Sequence, residues 1–80
     1  MTATKSRFIE TARSMFRRGS GDPVEISRRQ ANFLFFLAKD SRSTRLNPAS
    51  STMAVYSAEG YVVTIDYESG DPILLVQEAS

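Results

Sequence analysis

The stretch NPASSTMAVYSAEG, Asn47–Gly60, decides the fold of this chain. As a helix it would begin with an Asn cap followed by Pro48 and end at Gly60, positions that suit these residues. As a strand it would open an antiparallel sheet. The Ser, Thr, Val and Tyr residues that fill it are poor helix formers. The local chemistry therefore predicts a strand.

The helical interpretation would lead to a different class of protein. With a short strand at VEI (24–26) and a later hairpin, it gives a winged-helix order, three helices with a β-hairpin wing. A recognition helix contacts phosphates and bases mainly through Arg, Lys, Asn and Gln. Residues 47–60 contain no Arg, Lys or Gln, and their only charged residue is Glu59. The winged helix is therefore kept only as the alternative fold.

Two short loops predict how the strands pair. AEG (58–60) and ESG (68–70) both end in glycine, which is typical of a three-residue hairpin loop with a bulge. The first loop would pair Ser57 with Tyr61, and the second would pair the residues that flank it in the same way. Side chains alternate between the two faces of a strand, so this register predicts one apolar core face. Its members are Met53, Val55, Val63, Ile65, Ile73 and Leu75. The predicted strands span about 52–57, 61–67 and 72–77.

Two helices are predicted before the sheet. The first covers about 4–18, and the second covers about 27–39, with Ser27 and Gln30 spaced as a capping box. The segment FLFFLA (33–38) is apolar on more than one side. A helix that is apolar all round is normally buried on several sides. We therefore expect the second helix to be the central element of the fold.

These elements predict an α+β fold and a single domain, residues 1–80. The two N-terminal helices would pack on one face of a three-stranded antiparallel β-meander. The polar segment KDSRSTRLNPASS (39–51) is expected to be a connecting loop. The VEI segment could add an edge strand, although three residues are weak evidence.

Composition argues against several functional classes. The chain has no Cys and no His, so it lacks disulfides, cysteine metal sites and the commonest general base. Its carboxylates do not converge on a predicted pocket. The longest apolar run, Phe33–Ala38, is too short to span a membrane. We expect a cytoplasmic protein that is not an enzyme and has no cofactor, no metal and no membrane contact.

Charge divides the chain into two unlike halves. Residues 1–45 carry ten basic and four acidic residues, whereas residues 46–80 carry five acidic residues and no basic one. Such asymmetry suggests an anionic partner for the basic half. Arg28 and Arg29 fall in the first turn of a helix, where the helix dipole disfavours positive charge, so they are candidates for function. The candidate residues for binding a partner or an anion are Arg13, Arg17, Arg18, Ser27, Arg28 and Arg29.

The loop between the helices is expected to bring these arginines to one end of a helical hairpin. The structural alternative is that they pair with Asp22 and Glu25 inside the loop. A second candidate surface is the sheet face away from the helices. In the predicted register its apolar members include Tyr56, Val62, Leu74 and Val76. Exposed apolar patches on small proteins tend to be interfaces, so this face predicts a contact with a protein partner or a homodimer.

Together these patterns predict a small non-catalytic protein-binding module. It would act as an inhibitor or adaptor, of the kind that mobile elements encode, by occupying an acidic surface on a larger protein. The alternative is a nucleic-acid-binding transcriptional regulator whose arginines contact phosphates. The sequence names neither the partner nor the stoichiometry.

Overall fold

The computed structural model describes residues 7–17, 21–40, 44–50, 52–68 and 70–79. The fold is α+β, as predicted, with two helices and an antiparallel sheet. The helices are α1, Arg7–Phe16, and α2, Arg28–Lys39. The strands are β1, Val24–Glu25; β2, Arg45–Ser50; β3, Met53–Ala58; β4, Tyr61–Asp66; and β5, Ile73–Glu78. Within the stretch that decides the fold, residues 47–50 end β2 and residues 53–58 form β3, so the strand interpretation is correct and the winged-helix alternative is wrong.

The sheet has five strands in the order β1-β5-β4-β3-β2, and every neighbouring pair is antiparallel. β1 pairs with the start of β5, which confirms the edge strand at VEI. β2 lies in the segment predicted as a loop, and that prediction is wrong. Pro48 lowers the strand signal there, but proline is tolerated on an edge strand because one side of that strand needs no ladder donor.

The predicted capping box begins α2. The Ser27 hydroxyl accepts a hydrogen bond from the Gln30 amide at 3.0 Å, and the Ser27 amide donates to the Gln30 side-chain oxygen at 2.9 Å. Two amides at the start of the helix are therefore satisfied reciprocally. The predicted first helix runs beyond α1 at both ends, and its residues 4–6 and 18 lie outside the described residues.

The register of the sheet differs from the prediction by one residue at both hairpins. Ala58 pairs with Tyr61, so Glu59 and Gly60 form a two-residue turn with φ angles of 51° and 82°. Positive φ at both central residues is the geometry of a type I′ hairpin. The predicted pairing of Ser57 with Tyr61 is wrong. In the second hairpin Asp66 pairs with Ile73, so the predicted pairing of Ile65 with Ile73 is wrong as well.

This slip exchanges the faces of β3 and β5. Val63 and Ile65 of β4 are in the core as predicted. The neighbouring strands contribute Tyr56, Ala58, Leu74 and Val76 to the core instead of the residues predicted for it. A one-residue slip moves every side chain of a strand to the other face. The core prediction was wrong for Met53, Val55, Ile73 and Leu75, which lie on the opposite face and are only partly buried.

Both helices cover the face of the sheet that carries Tyr56. The Phe8 ring of α1 lies 5.1 Å from the Tyr56 ring, measured between centroids, at an angle of 55°. α1 packs on β5 and on α2. α2 buries Ala31, Leu34 and Ala38, but its phenylalanines are exposed. The expectation that α2 is buried on several sides is therefore wrong, because in a two-layer fold its outer side has nothing to pack against. Neither described helix is long and apolar enough to cross a membrane.

Candidate protein-binding surface

The outer side of α2 carries a stripe of exposed aromatic and basic residues. Arg29, Phe33 and Phe36 follow one another at i, i+4 and i+7, which places them on one helix face. Ala31, Leu34 and Ala38 occupy the opposite face and are buried. Phe33 is 43% exposed and Phe36 is 69% exposed. We call Arg29, Phe33 and Phe36 the α2 stripe.

Because Phe33 and Phe36 are exposed, the folded chain lacks much of the free energy that burying these two side chains would contribute. Burying a phenylalanine side chain contributes about 1.5–3 kcal/mol relative to leaving it exposed. A chain of 80 residues needs most of its bulky apolar side chains for one core. Two phenylalanines on the outer side of a helix therefore point to a contact that the described residues do not provide.

Three exposed basic residues and one exposed acid, the C-cap Asp40, lie on or beside the α2 stripe. Arg28 and Arg29 are exposed at the start of α2, and Lys39 is exposed at its end. Within the described part of the chain, no ion pair joins either arginine to Asp22 or Glu25, so the internal pairing considered as an alternative does not form there. The two arginines remain available to carboxylates or phosphates of a partner.

A groove between α2 and β2 adjoins this surface. Its volume is about 320 Å³, and it is lined by Phe35, Ala38, Lys39, Thr44, Leu46 and Tyr56. The Thr44 hydroxyl oxygen is buried and has no hydrogen-bond partner among the described residues. Phe35 is 47% exposed on one wall, and Leu46 is similarly exposed on another. The groove thus adds apolar surface beside the α2 stripe.

Two tyrosines near these surfaces have raised pKa values. Burial and, to a smaller extent, the neighbouring Tyr67 together raise the pKa of Tyr56 to about 12. Burial also raises the pKa of Tyr67. Both phenols are therefore protonated at neutral pH, and neither supplies a phenolate nucleophile or base. Among the described residues, no group of three or more Asp or Glu side chains is placed to hold a metal ion.

The candidate arginines are not brought to one end of the molecule. The Arg13 guanidinium lies 4.9 Å from the centre of the Tyr61 ring. Arg13 and Arg17 line a hollow of about 220 Å³ with Glu78. Arg28 lines a different hollow of about 300 Å³, together with Asn32, Tyr67 and Gly70.

The two hollows lie at opposite ends of β5, which is about 17 Å long at the rise of an extended strand. The expected gathering of the arginines at one end is wrong because β1 pairs with the start of β5 and separates the end of α1 from the start of α2. Ser27 uses its hydroxyl in the capping box. Arg18 lies outside the described residues.

The predicted apolar interface is also placed differently. Tyr56, Leu74 and Val76 were expected on the face away from the helices, but they are in the core, at 2%, 0% and 9% exposure. That expected placement is wrong because of the register slip. Val62 lies on the face away from the helices, as predicted. Its apolar neighbours there are Met53, Val55, Ile73 and Leu75. We call this surface, with Thr64 at its centre, the outer sheet face.

Sequence reasoning missed the exposure of Phe33 and Phe36. A signal for it was present in the spacing of the small residues on α2. Ala31 and Ala38 flank Leu34 on one face, and small residues permit the close approach that a covered face needs. A two-layer fold covers only one side of each helix. The phenylalanines had therefore to lie at the margins or outside.

The chain matches no protein-family model, no curated protein and no solved structure.

Proposed function

We propose that this chain is a small non-catalytic binding protein, an inhibitor or adaptor, that docks the α2 stripe on an acidic and partly apolar surface of a larger protein. The observation that supports the proposal is the exposure of Phe33 and Phe36 in line with Arg29. Aromatic residues and arginine are enriched at protein interfaces relative to other protein surface. The rigid helix presents all three side chains in one direction.

The stripe divides into parts with different roles. Phe36, the more exposed ring, would fill a pocket of the partner, and such central anchors contribute most of the binding energy. Truncating an anchor of this kind typically costs about 2 kcal/mol or more, which is a loss of affinity of about 30-fold. Arg28, Arg29 and Lys39 would meet carboxylates at the rim. Rim charges act mainly on the association rate and on its salt dependence.

A photo-crosslinking experiment tests this function. Phe36 is replaced by benzoylphenylalanine, and the purified chain is irradiated in nuclease-treated lysate of its source cells. The control carries the same group at Ser14, which is exposed on α1. We expect one protein to be crosslinked from position 36 and not from position 14. A partner identified in this way is then titrated with purified wild type and variants.

The titration distinguishes the stripe from general surface effects. Phe36→Ser and Arg29→Glu should each weaken binding by at least tenfold. Ser14→Ala, which changes an exposed residue of α1, should leave the affinity unchanged. Equal losses in all three variants, or no loss in any, would refute docking through the α2 stripe.

Nucleic acid is the competing partner for the exposed basic residues. If nuclease treatment abolishes crosslinking from position 36 and nucleic acid is recovered without it, the regulator function replaces the proposal. Binding would then weaken steeply with salt, since each released counterion contributes to the slope. A contact dominated by Phe33 and Phe36 would show a shallow salt dependence.

A further inference from the structure

The outer sheet face is an apolar surface that no described element covers. Met53, Val55, Val62, Ile73 and Leu75 surround Thr64 on it, and all of them are partly exposed. Both helices lie on the other side of the sheet, where they form one cluster with the core residues. The outer sheet face and the α2 stripe therefore lie on opposite sides of the molecule.

The charge of the outer sheet face is opposite to that of the α2 stripe. Glu25 of β1 and Asp66 of β4 both pair with Ile73 of β5. One acid therefore lies on each side of this apolar residue, in a single row across three strands. We call Glu25, Ile73 and Asp66 the acidic row. The described side chains of this face include no Lys or Arg. Arg45 occupies the register position beside Ser57, at the other end of the strands from the acidic row.

The distances between rows on the outer sheet face are close to the distances between residues along the α2 stripe. Rows on one face of a strand are two residues apart, so the row of Leu75, Thr64 and Val55 lies about 7 Å from the acidic row, and the row of Val62 about 13 Å from it. Along α2, Phe33 lies about 6 Å and Phe36 about 10.5 Å beyond Arg29. A helix laid along the strands with Arg29 over the acids would thus place both phenylalanines over the apolar rows.

We propose that the α2 stripe of one copy docks on the outer sheet face of a second copy, so that the chain associates head to tail. Charge favours this arrangement over symmetric ones, because two sheet faces would bring acidic rows into one interface and two helices would bring arginines together. Each copy keeps one free stripe and one free sheet face, so the contact can repeat and the assembly can grow beyond a dimer.

This inference goes beyond the proposed function, because it concerns contacts between copies of the chain and not the larger partner. Self-association would occupy the same stripe that the partner needs. Binding of the partner and assembly would therefore compete. The two ideas are tested separately, since assembly is measured with the purified chain alone.

Sedimentation velocity of two variants, alone and mixed, tests the inference. Phe36→Glu disables the stripe and leaves the outer sheet face intact, whereas Leu75→Glu does the reverse. Wild type at low ionic strength should increase in mass with concentration and pass beyond a dimer. Each variant alone should remain monomeric. An equimolar mixture should form a heterodimer and nothing larger, because one intact stripe can dock on one intact sheet face.

Other results would overturn the inference in identifiable ways. Dimers of Phe36→Glu alone would indicate sheet-to-sheet contact, and dimers of Leu75→Glu alone would indicate helix-to-helix contact. Monomeric wild type at every concentration, or a mixture with no heterodimer, would refute head-to-tail docking outright. Circular dichroism checks the fold, and Thr64→Glu replaces Leu75→Glu if the latter does not fold. Monomeric wild type that still crosslinks a partner from position 36 leaves the proposed function standing.

Discussion

The two faces of the sheet are both apolar, but only one of them is core. Leu74 and Leu75 are neighbours in β5 and are the same residue, yet Leu74 is fully buried under the helices and Leu75 is partly exposed on the outer sheet face. Val62 and Val63 of β4 differ in the same way. Hydrophobicity therefore does not distinguish the core of this protein from its surface. The distinction depends on the strand register.

The two-residue turn at Glu59 and Gly60 is the local structure that goes with the observed register of β3. A three-residue loop ending at the same glycine would have placed Val55 in the core and Tyr56 outside. The two-residue turn does the opposite, and it places the Tyr56 ring against Phe8. A difference of one residue in loop length thus corresponds to an exchange between the core face and the partly exposed face of the strand.

The largest expected effect comes from truncating the two leucines separately. Leu74→Ala should lower the free energy of unfolding by about 2–5 kcal/mol, because it removes transfer energy and leaves a cavity. Leu75→Ala should cost less than about 1 kcal/mol, because its side chain is partly solvated already and no cavity forms. Urea unfolding followed by circular dichroism measures both. Equal losses, or a larger loss for Leu75→Ala, would contradict the register described above.

A smaller effect is expected at the turn. Gly60 has a φ of 82°, and a Cβ built on it meets nothing within 4 Å, so a substitution there is opposed by backbone conformation alone. Gly60→Ala should lower the free energy of unfolding by about 1–2 kcal/mol. Gly60→Asn should cost less, because Asn enters the left-handed region more readily. The Phe8–Tyr56 contact, followed by nuclear Overhauser effects, should persist in both variants. Its loss would show that the turn residue alone sets the register.

The last effect appears only at alkaline pH and concerns Tyr56, on the face of the sheet that the helices cover. The pKa of Tyr56 is about 12 in the folded protein, raised by burial from the 10.0 of an exposed tyrosine. The folded state therefore binds the proton more tightly, and this contribution to stability is complete below pH 10 and is lost as the pH rises towards 12. Tyr56→Phe lacks this contribution. Wild type should therefore lose free energy of unfolding relative to Tyr56→Phe as the pH rises between these values, and curves that stay parallel would contradict this expectation.

Local signals predicted several elements correctly because they act over a few residues. Ser27 and Gln30 are three residues apart, and their reciprocal hydrogen bonds begin α2 whatever packs against it. The strands of the meander start and end within one residue of the prediction. β2 was missed because it is stabilised by pairing with β3, whereas its own residues, which include Asn47, Pro48 and Ser50, give a weak strand signal.

The sequence predicted the types of residue in the candidate site but not their positions in the fold. The sequence pointed to arginines and to an apolar surface, and both features exist. The arginines are divided between two hollows because β1 joins the sheet. The predicted interface residues are mostly buried, and the exposed phenylalanines of α2 were placed inside. Each error concerns which side of an element faces the core, and that is decided by contacts between elements.

The sequence by itself determined the α+β class, the start of α2 and the positions of β3, β4 and β5. Capping, helix propensity and turn residues are local, so they are readable without a partner. The tertiary structure alone decided the register, the covered side of α2 and therefore which apolar residues remain outside. The reason is that β3 and β5 are apolar on both faces, so either register satisfies the pattern, and only packing against Phe8, Leu34 and their neighbours in the core separates the two.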